Sequence, residues 1–391
     1  MQPRASVNPL AQVVDWYQSA MSKAETVGAH KRASHTVHRP YPKNFDSRDA
    51  GMFDISAEFV MPHASVKRLH NVEFFGRGPL RTATDGNYLS ESFVSIPEAD
   101  KWRRRRGHWR AALERPVQRR SRLESPAICI TDNWSCGYFH WTCDALSRLQ
   151  FASEACDLSK LTLLLPHKFR RYKFIAESLK PFGLGNVRLL RRFERVTCDE
   201  LVFPTHLSPS GNPDAKMMSG LRDRFTRYLR SKSVTEDVLG DAASKFGDRV
   251  YLSRRLAGRR RITNESDVLA VLRDHGFKEF TAEDHSWETQ VAVAMNTRLM
   301  VSNHGGGLAS LFMMRPGSRV LELRDSIGPT PNCFYNLADA ADIDFYYQLC
   351  PRTDTKKTAH WGDIVVGTEK LDRLLNEMTT AVAREPVTRV A

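Results

Sequence analysis

The sequence contains no apolar run approaching the ~20 residues that a membrane-spanning helix needs. Its first stretch, MQPRASVNPLAQVVDWYQSA, has no apolar signal core. None of its seven cysteines (Cys129, Cys136, Cys143, Cys156, Cys198, Cys333 and Cys350) belongs to a CxxC pair. An odd count in a long chain argues against a disulfide framework. Cys136 and Cys143 could share a helix face, which packing explains more simply than zinc does. No helix-turn-helix, zinc-finger or RNA-binding fingerprint is present, and no internal repeat or low-complexity tract. Together these absences lead us to expect a reducing, cytoplasmic protein that at most lies peripherally on the inner face of a membrane.

At 391 residues the chain is too long for one ordinary core, so two domains are the default, and 41% apolar content supports globular folding. The formal net charge of +13 favours an anionic partner: nucleic acid, an acidic membrane surface or a phosphorylated substrate. The most basic run, KWRRRRGHWR at 101–110, interleaves arginines with Trp102 and Trp109. It could meet anionic headgroups or nucleic acid, or be a solvated helix face. A solvated face or a membrane contact is favoured, because no nucleic-acid fingerprint accompanies it.

Residues 13–21 read as a short helix and 28–50 as a loop or arm without periodicity. Strands are expected at 58–61, 66–75 and 92–96, with a turn at Asp85-Gly86-Asn87. Strands at 127–131, 161–165, 186–190 and 201–203 alternate with helices at 138–151 and 167–179, an α/β pattern. Helices at 216–230 and 234–246 follow. From Asp248 strand and helix alternate regularly: strands at 249–253, 277–280, 299–301, 319–323 and 343–349, helices at 264–275, 285–295, 308–314 and 332–341. This is the rhythm of a doubly wound parallel sheet. A polar loop at 351–364 and an amphipathic helix at 368–384 complete the chain.

Chemistry concentrates in three places. His304 leads into Gly305, Gly306 and Gly307 between a strand and a helix. Glycines there permit φ > 0 and close approach of a ligand, and a helix start gathers free N–H groups that suit phosphate. A tight turn needing small residues for packing accounts for the same residues. Glu322, near the end of the next strand, could hold a ribose diol or lie at the surface. In RVYLSRRLAGRRRITNE, Arg254 and Arg255 sit just past a strand, at the edge where open α/β sheets bind ligands, and arginine forks match diphosphate oxygens. Arg259, Arg260 and Arg261 add charge, and Asn264 is placed to N-cap the next helix; a solvated basic loop is the alternative. In the helix at 138–151, His140, Asp144 and Arg148 recur at i, i+4 and i+8 as one polar stripe amid aromatic residues. Such a carboxylate can accept a proton from a hydroxyl, with the histidine tuning or replacing it; a satisfied Asp–His or Asp–Arg pair that holds the helix is the alternative.

Three blocks fall in order: Tyr138-Phe139-His140-Trp141 with Asp144, Leu146 and Arg148-Leu149; Ser253-Arg254-Arg255 with Arg260-Arg261-Ile262 and Asn264-Glu265; and His304-Gly305-Gly306-Gly307-Leu308 with Pro316-Gly317 and Glu322. Over residues 130–325 the chain resembles glycosyltransferase family 61, whose members transfer sugars from nucleotide-sugar donors. It departs from the family's usual residues at Gly306 (Ala), Ser310 (Asn) and Ser147 (Pro). The resemblance implies an α/β, GT-B-like fold with two Rossmann-like domains facing a cleft: an N-terminal arm (1–50), an acceptor-side domain (51–235), a nucleotide-sugar-binding domain (236–350), and a C-terminal loop and helix (351–391). It implies an inverting, metal-independent reaction with no cofactor beyond the nucleotide-sugar co-substrate, a UDP-sugar being the family's usual donor. Asp342-Ile343-Asp344 has the spacing of a metal motif but lies late, in a strand.

The resemblance further implies Asp144 as the base, with His140 as its orienter or as the alternative base. The implied donor contacts are Ser253, Arg254, Arg255, Arg261, Asn264, Glu265, the His304–Gly307 turn (His304, Gly305, Gly306 and Gly307) and Glu322. The acceptor would be a hydroxyl of a surface polysaccharide or glycolipid, with possible contact to an anionic membrane and no nucleic acid. Two other readings stand beside it: a basic nucleic-acid-binding protein, which leaves the glycine turn and the polar stripe unexplained, and an inactive transferase-like partner subunit.

Overall fold

Two sheets, each with its own core, organise the chain. A computed structural model describes residues 25–75, 78–82, 89–95, 119–232, 237–327 and 330–382. The helix expected at 13–21, the turn at 85–87 and the basic run at 101–110 lie outside these residues. The chain divides into one unit of residues 1–38 and 58–221 and another of residues 39–57 and 222–391.

The first unit holds a mixed sheet in the order β1 (Glu25–Arg32), β4 (Ala64–Phe75), β10 (Glu194–Pro204), β7 (Ala127–Ile128), β8 (Thr162–Leu165), β9 (Asn186–Leu189). β5 (Gly78–Thr82) pairs with β4 and β6 (Arg119–Leu123) with β10. β2 (His35–His38) and β3 (Glu58–Met61) make a separate two-stranded ribbon. The long β4–β10 pair is antiparallel, and Val72 opposite Cys198 and Phe74 opposite Val196 feed a core with Leu201 and Phe203. The side of the sheet from β10 through β7, β8 and β9 is parallel, as is the β6–β10 pair, whereas β1, β4 and β5 pair antiparallel. A wholly parallel first sheet is therefore not what forms, because the short β4–β5 connection can join only antiparallel neighbours. The strand expected at 92–96 does not form over its described residues, 92–95; a 3₁₀ turn, Ser90–Ser92, stands at its start, and the Ser92 hydroxyl accepts from the Leu80 N–H at 3.0 Å. The expected helix at 167–179 is a 3₁₀ turn, His167–Arg171, followed by a separate helix, Lys173–Leu179.

The second unit matches the expected rhythm closely. β11 (Arg249–Leu252), β12 (Lys278–Phe280), β13 (Leu299–Asn303), β14 (Arg319–Asp325) and β15 (Asp344–Cys350) form an all-parallel sheet in the order β12-β11-β13-β14-β15. Tyr251, Val301, Leu321 and Tyr346 align in register and share one core cluster with the helices α1 (Glu265–Asp274) and α2 (Thr368–Val382). On α2 the buried residues Leu371, Leu374, Leu375 and Met378 follow i, i+3, i+4, i+7, a single apolar stripe. Met300, Val320 and Phe345, one position along each strand, are buried too, as expected for strands covered on both faces. Away from that cluster, Phe225 meets Trp287 edge-on at 4.8 Å between ring centroids.

Residues 28–50, expected as a loop or arm, are ordered otherwise. Their first part forms β1 and β2; their last part docks on the second unit. There the Asn44 amide exchanges two hydrogen bonds with the Tyr347 main chain (2.7 and 3.0 Å), and Phe53, fully buried, packs against the Tyr335 and Tyr347 rings. β2 is mostly exposed, so it carries no apolar alternation to read. Among the described residues no helix is long and apolar enough to cross a membrane.

One buried group in the first unit makes stability depend on pH. His206 is 4% exposed beside Arg148, and burial, with the charge of Arg148, pushes its pKa from 6.5 down to about 3 despite nearby Asp132. Above pH 6.5 neither folded nor unfolded chain protonates it; between about 6.5 and 3 only the unfolded chain does. Stability should therefore fall as pH drops through that window, by up to about 1.4 kcal/mol per pH unit from this group. Denaturant midpoints for His206→Gln should show a shallower acid limb than the parent; parallel limbs would refute this account.

Candidate active site

The order of the second sheet places its topological switch point between β11 and β13, where ligands of open α/β sheets bind at the carboxyl edge. Arg254 follows β11 and His304-Gly305 follows β13. The guanidinium of Arg254 lies against the Gly305 Cα, and a Cβ at Gly305 would overlap it. A Cβ at Gly307 would stand 3.0 Å from Leu252. Gly305 is extended (φ −177°), and none of these three glycines takes positive φ. Space, not left-handed backbone, is thus the reason for the glycines examined at 305 and 307. The helix after them, Gly306–Met313, is 3₁₀ rather than α, with poorer hydrogen-bond alignment than the sequence led us to expect.

Most of the other expected donor ligands are engaged by the protein itself. Ser253 and Tyr251 both donate to Glu265 Oε1 at 2.7 Å, closing the start of the loop. Asn264 makes no N-cap bond; its amide grips the Val366 main chain at 2.9 and 3.0 Å. Arg255 faces Asp284 (2.9 Å) and Glu279 (3.4 Å). The Arg261 N–H and guanidinium face Asp363 at 2.8 and 3.7 Å. Glu322, expected at a ligand or at the surface, is fully buried, bonded to His304 Nδ1 and 3.3 Å from Arg324. Burial would raise its pKa, but Arg324, His304 and Arg260 outweigh that and hold it below the usual carboxylate range. Burial lowers the pKa of His304, against the pull of Glu322, so its ring is neutral at pH 7.

Two cations remain without such partners. Among the described residues Arg254 and Arg260 form no ion pair, and the Nε of each is buried without a hydrogen bond. Burial, reinforced by Arg254 and Arg259, pushes the Arg260 pKa down to about 10. Arg260 and His304 line a cavity of about 530 Å³ together with Arg352, Lys356, Lys357 and His360. Among the described residues no carboxylate lines it. The loop carrying the lysines is braced by Arg352, which pairs with Asp325 at 2.6 Å and donates to the Lys357 and Ile327 carbonyls. A Cβ at Gly362 would strike that arginine. The sequence shows this loop only as a polar stretch; the lysine pair was its one signal, and only the fold brings it to His304. Similarly, Arg260 rather than its neighbour Arg261 faces the cavity.

In the first unit, the helix at 138–151 opens as a π-turn, His140–Ala145, continued by the α-helix Leu146–Ala155. His140 Nδ1 lies 2.9 Å from both Asp144 Oδ2 and Ser210 Oγ, and Ser210 donates to Asp144 at 2.6 Å. The carboxylate only accepts, and the hydroxyl proton is already given to it. The triangle therefore closes only if Nδ1 carries a proton, which leaves the lone pair on Nε2. Among the described residues Nε2 has no hydrogen-bond partner. Burial would lower the His140 pKa, but the hydrogen bond and charge of Asp144, with the charge of Asp132, raise it above its ordinary value. Arg148, expected on the same stripe, turns away: fully buried, it donates to the Pro204 and Ile130 carbonyls at 2.8 and 2.9 Å. Ser210 had no signal beyond lying in a Ser/Pro/Gly loop. Among the described residues no cluster of three His, Cys, Asp or Glu side chains could hold a metal, and Asp344 is paired with Lys43 at 3.0 Å.

A family model, Glycosyltransferase 61, matches residues 138–321 of this chain. No curated protein matches it. The matched segment begins beside the His140 triangle and ends one residue before Glu322; the Lys356 loop lies beyond it.

The close approach of Gly305 to Arg254 makes a local prediction. Gly305→Ala should destabilise the chain by about 1–3 kcal/mol through overpacking. Arg254→Ala should remove most of that penalty when the two are combined, a coupling that denaturant midpoints of the four variants would measure. Additive effects would mean that the two groups do not touch.

Proposed function

We propose that the chain, whose residues 138–321 match the Glycosyltransferase 61 family model, is a glycosyltransferase: an inverting, metal-independent enzyme that moves a sugar from a UDP-sugar to a hydroxyl of a surface polysaccharide or glycolipid. The observation that carries the donor assignment is the cavity at the carboxyl edge of the parallel sheet, lined by Arg260, Lys356 and Lys357 and by no carboxylate among the described residues, which suits a leaving diphosphate. Arg260, Lys356 and Lys357 neutralise the charge that develops as the bond from the anomeric carbon to the diphosphate breaks. Arg254, behind Gly305, adds to the field. His304 is held in place by Glu322.

On the acceptor side, His140 is the base and Asp144 the group that orients it, the alternative of the two roles open from the sequence. Nε2 takes the proton of the acceptor hydroxyl while its oxygen attacks the anomeric carbon from the face opposite the nucleotide. Asp144 then steadies the imidazolium. In this proposal the fold is GT-B-like, with residues 51–235 as the acceptor-side domain and 236–350 as the donor-side domain, to whose site the loop at 351–364 contributes. The chain acts from the cytoplasm, and its net charge of +13 favours acidic, membrane-linked acceptors.

Two experiments test this. UDP should raise the thermal midpoint of the parent, and Lys356→Ala/Lys357→Ala together should weaken UDP binding at least tenfold, read by calorimetry; equal affinity would remove the loop from the donor site. In sugar transfer, kcat/KM should climb with pH through an apparent pKa above the ordinary 6.5 of histidine, because the base must first lose its proton. His140→Ala should cost ~10²–10⁴ in rate and erase that limb, while Asp144→Asn should move the limb to lower pH. An inactive Asp144→Asn beside an active His140→Gln would hand the base role to Asp144.

A further inference from the structure

From residue 127 to 153 every side chain is buried or half-buried except one, Trp134, which is 41% exposed. Of the two tryptophans in the stretch, Trp141 is fully buried and Trp134 is the one left in water. It is also held firmly. Asp132, itself 1% exposed, accepts at Oδ1 from the Trp134 N–H at 2.7 Å and from the Ser135 N–H and hydroxyl at 2.9 Å. The Trp134 carbonyl accepts from the Gly137 N–H at 2.9 Å. Both backbone groups of the residue are therefore satisfied within a tight turn, so presenting the indole costs little further ordering.

The ring stands beside the base. Its centroid lies 5.1 Å from that of His140, inclined at 55°. Phe139 meets the same imidazole at 5.5 Å but is itself buried, so it offers no surface. A Cβ at Gly137 would come 3.3 Å from His140 Cδ2 and 3.6 Å from the Trp134 carbonyl oxygen. The small residue thus keeps the space between the indole turn and the imidazole open. An exposed indole next to an open Nε2 lone pair joins two needs of one ligand: an apolar ring face to stack and a hydroxyl to bond. Pyranoses whose axial C–H bonds gather on one face have both. A linear polyol has the hydroxyls but not the face.

We propose that Trp134 is a stacking platform for the pyranose ring of the acceptor, a specificity-determining residue beside His140. The identification of that sugar as the acceptor rests on the transferase reading; the sugar contact itself does not. The full chain, labelled with ¹⁵N at its tryptophan indoles, should be titrated with methyl β-D-glucopyranoside, methyl β-D-galactopyranoside and, as the control, sorbitol. The Trp134 resonance is identified by its loss in Trp134→Phe. It should shift with at least one pyranoside at millimolar concentration and stay fixed with sorbitol. Trp134→Ala should weaken pyranoside binding roughly fivefold to tenfold, with Trp134→Phe in between. In transfer assays the alanine variant should raise acceptor KM by a similar factor while leaving donor affinity unchanged. No shift with either pyranoside, or an equal shift with sorbitol, overturns the proposal. Sugar binding without any transfer would leave the platform standing and remove the transferase reading; transfer with an unaltered acceptor KM in Trp134→Ala would do the reverse.

Discussion

A carboxylate with no water around it sets the terms for the second unit. Glu322 is fully enclosed, and its burial would favour a neutral acid were it not for Arg324, His304 and Arg260. Removing one of these partners would leave a buried charge uncompensated, which is more costly than leaving out the whole cluster. The carboxylate therefore locks the His304 ring at the end of β13, and its field reaches Arg260, whose own buried guanidinium faces the cavity. The cavity's chemistry is thus fixed from behind, by groups that no ligand touches.

The second theme is how the molecule divides its many cations. Net charge gives no hint of which arginines are available, since most of those in the loop after β11 look alike in sequence. In the fold, Arg255 and Arg261 are matched by acids, and Arg352 is consumed in bracing a loop. Arg254 and Arg260 are left facing backbone and cavity. With no carboxylate among the described residues that line the cavity, its basic charge is left for an anionic ligand.

In the first unit the same economy appears with opposite sign. Its polar stripe splits: one end, Arg148, satisfies strand carbonyls inside the core, while the other end, His140 with Asp144, faces outward. The π-turn at His140–Ala145 sits at the join. Such one-residue widenings re-aim side chains relative to a regular α-helix and recur at functional sites.

Sequence alone determined the repeating strand–helix order from Asp248 onward, the amphipathic helix near the C-terminus and the pairing of His140 with Asp144. These follow from local periodicity and from side chains four residues apart, information a single segment carries. It did not determine the mixed first sheet or the strands among residues 28–50, because the mostly exposed β2 carries no alternation and antiparallel pairing depends on distant partners. Nor could it separate ligand-facing groups from committed ones. Asn264 reads as a helix cap until Val366 arrives, about a hundred residues later in the chain, and Glu322 reads as an edge carboxylate until His304 and Arg324 close over it. Which Arg faces the cavity, and that a loop beyond β15 joins it, were settled only by tertiary packing, since availability is a property of a group's neighbours and not of the group.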